Sequence, residues 1–241
     1  MRRVLLSLLA PTLALVAFPA HADPVSLIAF AIPPLIDDRD GKAVGPGAEL
    51  AGELAMAAGI NPVVTVLPVG RAYLEAERGG RILVMTTRTP ERESKFTWVV
   101  ESFEDELCFA TVSPHSRIDT LEEARSLTSI GVRTYAFAEA FLRENGFDRN
   151  LAPTALANSS AQQLVRGRID AWLTSRAMII DIWRTEKLDE TKLQIGAPVA
   201  PMPYWIAASK DVAPDIILKM QNRFQEMKTE ETYDKLFAAF K

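Results

Sequence analysis

The stretch "TTRTPERESKFTW", residues 86–98, follows directly on the apolar run "ILVM". An apolar run of this kind is typical of a buried strand. At the end of this strand the stretch places two adjacent threonine hydroxyls, Thr86 and Thr87, followed by two arginines, Arg88 and Arg92. Burying such groups costs free energy unless a partner satisfies them. The stretch therefore predicts that an anionic or strongly polar ligand binds at the mouth of a strand.

The residues around Pro90 predict how this site is built. Thr89 can cap a helix that Pro90 begins, because proline at the first helical position loses no needed hydrogen bond. The N–H groups at the start of that helix would favour an anion. Arg92 would add a planar guanidinium fork and Thr87 a hydroxyl. The alternative is that Arg92 pairs with a carboxylate on a solvated helix surface, for which the candidates are Glu91, Glu93 and Asp105.

Strand-like and helix-like segments alternate on both sides of the stretch. "PVVTVL" (62–67), "SIGVRT" (129–134) and "IDAWLT" (169–174) resemble strands, and "AELAGELAMAAG" (48–59) and "AFAEAFLRENG" (136–146) resemble helices. This alternation predicts an α/β fold with parallel strands and helices on both sheet faces. Capping boxes are predicted at Thr120 with Glu123 and at Ser160 with Gln163.

Two connections differ from ordinary loops. "ESFEDELCFATV" (101–112) has four acids before an apolar strand, and "GAPVAPMPYWI" (196–206) holds three prolines. Both suit extended crossings between lobes. We therefore predict a first lobe of residues 23–107 and 204–241, and a second lobe of residues 108–203. Ligands bind between such units, at the carboxyl ends of strands.

The beginning of the chain predicts export. Arg2 and Arg3 precede a short apolar run, and "AHA" at residues 20–22 offers small residues for cleavage. Residues 1–22 are therefore predicted to be a secretory signal peptide, and the protein to be periplasmic. A retained membrane anchor is the alternative, which the proline at position 11 disfavours.

Composition excludes several classes of function. The chain of 241 residues has 27 Lys and Arg against 31 Asp and Glu, a net charge of −4, and no clustered basic stripe, which argues against nucleic acid as a partner. The single cysteine, Cys108, permits no intrachain disulfide, and its apolar surroundings predict a packed, unreactive thiol. No His or Cys pair has the spacing of a zinc site, so no metal and no cofactor is expected.

An enzyme is not expected either. The chain has no G-x-S-x-G elbow and no phosphate-binding glycine loop after a strand. Catalysis by carboxylates alone, as in a dehydratase, would need an acid with a raised pKa in the cleft. The best candidates, Glu49 and Asp170, are interpreted as structural.

Several motifs occur together in a fixed order: "DGKAVGPGAELAGELAMAAGI", "TRTPERE" followed by Trp98, "TLEEARSLTSIGV", "LVRGRIDAWL" and "FQEMKTEETYDKLF". In this order the chain resembles the extracellular solute-binding protein family 3, the amino-acid-type receptors of ABC importers. The resemblance implies a two-lobe periplasmic-binding-protein fold of type II. Each lobe would be a mostly parallel sheet flanked by helices, with the ligand cleft between the lobes.

The resemblance also implies roles for individual residues. Arg92 falls where the family's receptors hold the ligand α-carboxylate, and Thr87 where a hydroxyl supports it. Arg71 in "PVGRAY" falls where some members have a cleft arginine, the alternative being an exposed helix arginine. Arg88 follows Thr87 by one residue, so in a strand its side chain would point to the opposite face.

At two positions the chain departs from this pattern. The family has an aspartate for the ligand ammonium five residues after Asp170, where this chain has Ser175, and Asp181 on the next helix is not expected to replace it. Tyr135 stands where many relatives have glycine and hydroxyl residues, and it is predicted either to close over a flat ligand or to lie on the lobe surface. These departures favour a carboxylate without a charged amine.

The resulting hypothesis is a monomeric periplasmic receptor that binds a small polar, carboxylated solute, an amino acid or a related organic acid, by hinge closure. Its partner would be an ABC permease in the inner membrane. The alternatives are a ligand-sensing module for a membrane receptor and a carboxylate-dependent dehydratase on the same fold.

Overall fold

The computed structural model describes residues 24–240. The predicted signal peptide, residues 1–22, lies outside them. The α/β class is confirmed, because helices alternate with strands that join one mixed sheet. None of the helices in residues 24–240 is long and apolar enough to cross a membrane.

The first lobe is built on the strand order β2-β3-β4-β1-β5. Strand β1 pairs in parallel with both β4 and β5, as the alternation predicted. The hairpin β2–β3 was predicted only as a turn. The elements are β1 (Ser26–Ala29), β2 (Asp37–Arg39), β3 (Lys42–Val44), α1 (Pro46–Ala57), β4 (Val64–Val66), α2 (Val69–Arg78) and β5 (Arg81–Thr87).

The second lobe has its own parallel core, in which β7 pairs with both β8 and β9. After the last crossing the chain returns to the first lobe as helices. The elements are β6 (Phe96–Val112), α3 (Leu121–Ala124), β7 (Ile130–Arg133), α4 (Phe137–Glu144), β8 (Leu151–Thr154), α5 (Ala157–Val165), β9 (Ala171–Ser175), α6 (Arg176–Thr185), β10 (Leu193–Ile195), β11 (Ala200–Ser209), α7 (Pro214–Thr229), α8 (Thr232–Leu236) and a 3-10 turn (Ala238–Phe240).

Two long antiparallel strands, β6 and β11, join the lobes. They pair along the whole of β11, from Ala200 opposite Leu107 to Ser209 opposite Phe96. Strand β11 also pairs with β5, and β6 with β9, so one sheet runs through the molecule. The proposed lobe boundaries, after residues 107 and 203, fall inside these strands and stay a prediction.

Two local predictions are wrong. Residues 90–95 form turns instead of a helix: the N–H of Arg92 donates to the Thr89 carbonyl at 3.0 Å, and that of Lys95 to the Arg92 carbonyl at 3.0 Å. Both N–H groups bind carbonyls three residues earlier, which is the pattern of 3-10-type turns and not of an α-helix. The box at Ser160 is also absent, because α5 begins at Ala157. The box at Thr120 and Glu123 is confirmed.

Buried side chains stabilise the fold, since the single cysteine, Cys108, can form no disulfide within the chain. Cys108 is fully buried among them, and its burial raises the pKa of the thiol to about 11. The prediction of a packed, unreactive cysteine is confirmed, because a thiol with this pKa stays protonated at neutral pH.

Asp170 ties two segments of the second lobe together. Its Oδ2 accepts hydrogen bonds from the Thr128 N–H and hydroxyl, both at 2.7 Å, and from the Ser129 N–H at 2.9 Å. Burial alone would raise the pKa of Asp170, but these hydrogen bonds outweigh burial and lower it. The carboxylate therefore has a structural role, as its sequence context predicted.

Asp170→Asn is expected to lower the free energy of unfolding at pH 7 by about 1–2 kcal/mol, because a neutral amide replaces a charged acceptor. A carboxylate with a lowered pKa stabilises the fold above its ordinary pKa of 3.8. That contribution disappears as the pH falls through the folded-state value. Urea unfolding at pH 7 and below pH 4 measures this, with Asp148→Asn as the control. A difference that persists unchanged in acid would contradict it.

Candidate functional site

Arg92 lies in the turn after β5 and is only 9% exposed. Its Nη1 donates to the Thr87 hydroxyl at 2.9 Å and to the Thr87 carbonyl at 3.2 Å. Its Nη2 donates across the cleft to the Tyr135 carbonyl at 2.6 Å. The guanidinium lies over the Tyr73 ring, 4.1 Å from its centre. Arg92 therefore faces the second lobe instead of bulk water.

Arg133, at the end of β7, approaches from the opposite lobe. Its Nη1 donates to the Ala31 carbonyl at 2.5 Å, and its guanidinium lies 5.6 Å from the centre of the Phe30 ring. Its Nε atom is buried and has no hydrogen-bond partner. Burial lowers the pKa of Arg133. Arg133 was not among the predicted site residues, although it is the last residue of the strand "SIGVR", and residues at strand ends line such clefts.

The two arginines lie on neighbouring aromatic rings. Tyr73, beneath Arg92, and Phe30, beneath Arg133, have ring centres 5.6 Å apart. Neither guanidinium forms an ion pair with an acid anywhere in residues 24–240. Two cations thus lie in the interlobe cleft with only carbonyl, hydroxyl and aromatic neighbours. Burying charge in this way is costly without an anion.

Tyr135 closes one side of the cleft. Its backbone is left-handed, with φ of 62°, and its N–H donates to a Glu139 carboxylate oxygen at 2.9 Å. The ring is largely exposed and lies against α2, so that a Cβ added to Gly70 would be 3.2 Å from it. The residue thus spans both lobes, with its carbonyl bound to Arg92 and its ring on Gly70.

A cavity of about 610 Å³ opens beside Arg92. Tyr73, Arg92, Thr134 and Tyr135 form its inner part. Charged residues of both signs surround it, and these are Glu77, Glu91, Lys95, Glu139 and Arg143. Of the predicted site residues, the structure brings Arg92, Thr87 and Tyr135 together here.

Two predicted site residues lie elsewhere. Arg88 is bound to Glu93 at 2.5 Å, and its guanidinium lies between the Trp98 and Trp205 rings, at 5.3 and 4.9 Å. Arg71 is exposed on α2 and lies 4.0 Å from Glu75. Arg88 therefore has aromatic and acidic partners of its own, and Arg71 corresponds to the exposed alternative.

Ser175 ends β9 and is the N-cap residue of α6. It is fully buried, and its hydroxyl accepts a hydrogen bond from the Met178 N–H at 3.3 Å. The neighbouring Asp105 accepts one from the Ala177 N–H at 3.3 Å, and burial raises the pKa of Asp105. The Tyr204 phenol also contacts Ser175, and burial raises its pKa.

Asp105 belongs to a second opening of the cleft. This cavity, of about 620 Å³, is lined by Asp105, Arg176, Asp181 and the C-terminal Phe240 among others, and Arg92 is not part of its wall. Burial and the charge of Asp37 raise the pKa of Asp181. Asp105 and Asp181 therefore line a different cavity from Arg92.

Comparison with known proteins identifies the fold. No protein-family model and no curated protein matches the chain. Among solved structures, an ancestral arginine-binding protein bound to arginine is 21% identical, over 89% of this chain and 96% of that one, with a TM-score of 0.77. A histidine kinase sensor domain with similarity to periplasmic binding proteins is 16% identical, over 90% and 96%, with a TM-score of 0.80. The substrate-binding protein of an amino acid ABC transporter is 15% identical, over 89% and 97%, with a TM-score of 0.74.

These likenesses confirm the two-lobe periplasmic-binding-protein fold that the sequence resemblance implied. The solved structures that share it are mostly binding proteins. They also include an ancestral amino acid-binding protein described as a precursor of cyclohexadienyl dehydratase.

Proposed function

We propose that the protein is a periplasmic receptor that binds a small carboxylated solute between its lobes and presents its closed form to an ABC permease. One observation supports this above all others. Arg92 and Arg133 enter the cleft from opposite lobes, and neither has an acidic partner in the described chain. A carboxylated ligand between them would supply missing negative charge.

The proposed mechanism is closure on the ligand. Arg92 and Thr87 belong to the first lobe, whereas Arg133 and Tyr135 belong to the second. A ligand that touches both sets gains its full contacts only in the closed form, so its binding shifts the population toward that form. A permease that recognises the closed form would then select the loaded receptor.

The location of the protein and its partner are part of the same proposal. The predicted signal peptide of residues 1–22 supports export to the periplasm. A similar structure, described as the substrate-binding protein of an amino acid ABC transporter, supports an ABC permease as the partner. We further propose that the receptor acts as a monomer and that neither a metal nor a cofactor takes part.

A sensing module for a membrane receptor is the second candidate, and the similar sensor domain of a histidine kinase favours it. Transport and sensing use the same closure, so binding data do not separate them. Gene neighbours do: an adjacent permease and ATPase indicate import, and an adjacent kinase indicates sensing.

We propose that the chain is not an enzyme. Asp170 is held by Thr128 and Ser129 away from the two arginines. Glu49 lines a surface cavity of the first lobe with Glu53 and Arg223. Neither carboxylate is placed to act on a ligand between Arg92 and Arg133.

A thermal-shift screen of carboxylates tests the proposed function. A ligand at 100 times its Kd adds about 2.7 kcal/mol of stability, which corresponds to a rise in Tm of about 5–10 °C for a chain of this size. We expect such a rise with at least one small carboxylate and none with the matched amide. If no carboxylate raises the Tm, the proposed function is wrong.

A further inference from the structure

We infer that the ligand is a dianion, a short dicarboxylate without an ammonium group, and that Arg133 binds its second carboxylate. The inference rests on the proposed function and narrows it to one class of solute. Its starting point is the unpartnered, buried Nε of Arg133.

The hydrogen-bonding of Arg133 leaves room for an acid. The guanidinium has five N–H donors in a fixed fork, and the contacts that it makes are one bond to the Ala31 carbonyl and one ring contact with Phe30. A carboxylate accepts two parallel N–H bonds from such a fork. An oxygen that reaches Nε would satisfy this buried donor, which has no partner in the described part of the chain.

The balance of charge favours two acid groups instead of one. Arg92 and Arg133 bring two positive charges to adjoining rings. The acids beside the Arg92 cavity are already engaged with other groups: Glu139 binds Arg143 and the Tyr135 N–H, and Glu77 and Glu91 both bind Lys95. A monocarboxylate would leave one buried cation without a counter-charge.

The same balance disfavours an ammonium group. Ser175 offers a hydroxyl that already accepts the Met178 N–H. Asp105 lines the other opening of the cleft, and its carboxylate already accepts hydrogen bonds from the Glu106 and Ala177 N–H groups. An ammonium beside Arg92 and Arg133 would add a third positive charge where the neighbouring acids already bind Lys95, Arg143 or the Tyr135 N–H.

Isothermal titration of the full chain with matched probes tests the inference. The probes are succinate, its monomethyl ester, butyrate and aspartate, together with glutarate and pentanoate as the next longer pair. We expect the better of the two diacids to bind about 30-fold or more tightly than its matched monoacid. The monomethyl ester should behave like butyrate, because it keeps the shape and loses one charge. Aspartate should bind more weakly than succinate.

Arg133→Gln locates the second carboxylate. We expect this variant to lose most of the preference for the diacid, about tenfold or more, because the diacid loses more affinity than the monoacid does. Arg133→Lys should restore part of the preference, because it restores the charge without the fork. Unchanged circular dichroism and urea midpoint confirm that the variants are folded.

The outcomes separate the inference from the proposed function. If monoacids bind as tightly as diacids, or if aspartate binds best, the dianion is wrong while the carboxylate receptor stands. If Arg133→Gln weakens diacid and monoacid equally, Arg133 does not bind a second carboxylate. If wild type binds none of the probes but another carboxylate raises the Tm in the screen, the inference fails while the proposed function stands, and if no carboxylate does so, both fail. The comparison of succinate with its monomethyl ester uses only the wild-type protein. It therefore tests the inference even if Arg133→Gln does not fold.

Discussion

Arg92→Ala is expected to abolish carboxylate binding, with a loss of affinity of about 100-fold or more. The substitution removes two charge-assisted hydrogen bonds to the ligand, each of which contributes about 1.5–3 kcal/mol. Arg92→Lys should bind about tenfold or more weakly than wild type, because it keeps the charge and loses the planar fork. Titration of both variants with the best ligand of the thermal-shift screen measures these losses.

Arg71→Ala is the matched control for this prediction. Arg71 is also an arginine of the first lobe, but it is exposed on α2, and its nearest acid, Glu75, is 4.0 Å away. We expect its affinity to equal that of wild type within about twofold. A ligand that binds Arg92→Ala as tightly as wild type occupies another site, and the proposed arrangement of the cleft would then be wrong.

Gly196→Ala is expected to cost the largest amount of stability, about 3 kcal/mol or more. Gly196 lies between β10 and β11, where its N–H donates to the Phe109 carbonyl at 2.9 Å and its own carbonyl accepts from Arg176 at 3.1 Å. A methyl group there would collide with the backbone carbonyl of Ile118. The methyl group would meet backbone atoms, which cannot move aside as the end of a flexible side chain can. The urea concentration at the midpoint of unfolding should therefore fall sharply.

Gly52→Ala provides the contrasting control. Gly52 is buried in α1, but the nearest atom to an added Cβ is the Pro62 carbonyl oxygen at 3.6 Å, an ordinary contact. Alanine is favoured over glycine in a helix by about 1 kcal/mol, so this variant should be as stable as wild type or more so. If Gly196→Ala unfolds at the wild-type urea concentration, the segment around Ile118 does not lie against Gly196.

The alternation of strand-like and helix-like segments predicted the fold. The polar residues after "ILVM" predicted the half of the candidate site that lies in the first lobe. The run "ILVM" and the polar residues after it correctly indicated a strand that ends at a polar cluster, and Arg92 and Thr87 do meet there. The predicted helix at Pro90 is wrong, because the N–H groups after it bind carbonyls three residues earlier and form turns before β6 begins. The capping box at Ser160 failed because its motif lies inside a helix that starts three residues earlier.

Arg133 could not be identified from local pattern. Its importance depends on the approach of Ala31 and Phe30, which are about a hundred positions away in sequence. Arg88 was expected on the face opposite Thr87, but the partners on that face, Trp98 and Trp205, belong to other strands and could not be identified from the motif. Local sequence specifies the element on which a residue lies, and the tertiary fold determines what it faces.

The two strands that join the lobes also allow one lobe to be exchanged as a unit, in evolution or by engineering. All elements from β7 to β10 follow one another without a return to the first lobe, so a splice in β6 and another in β11 would transplant the entire second lobe as a cassette. Such a graft carries Arg133 and Tyr135 together and leaves Arg92 and Thr87 in the recipient. Each half of the binding site can therefore be recombined with a different counterpart, and a new specificity requires only two junctions.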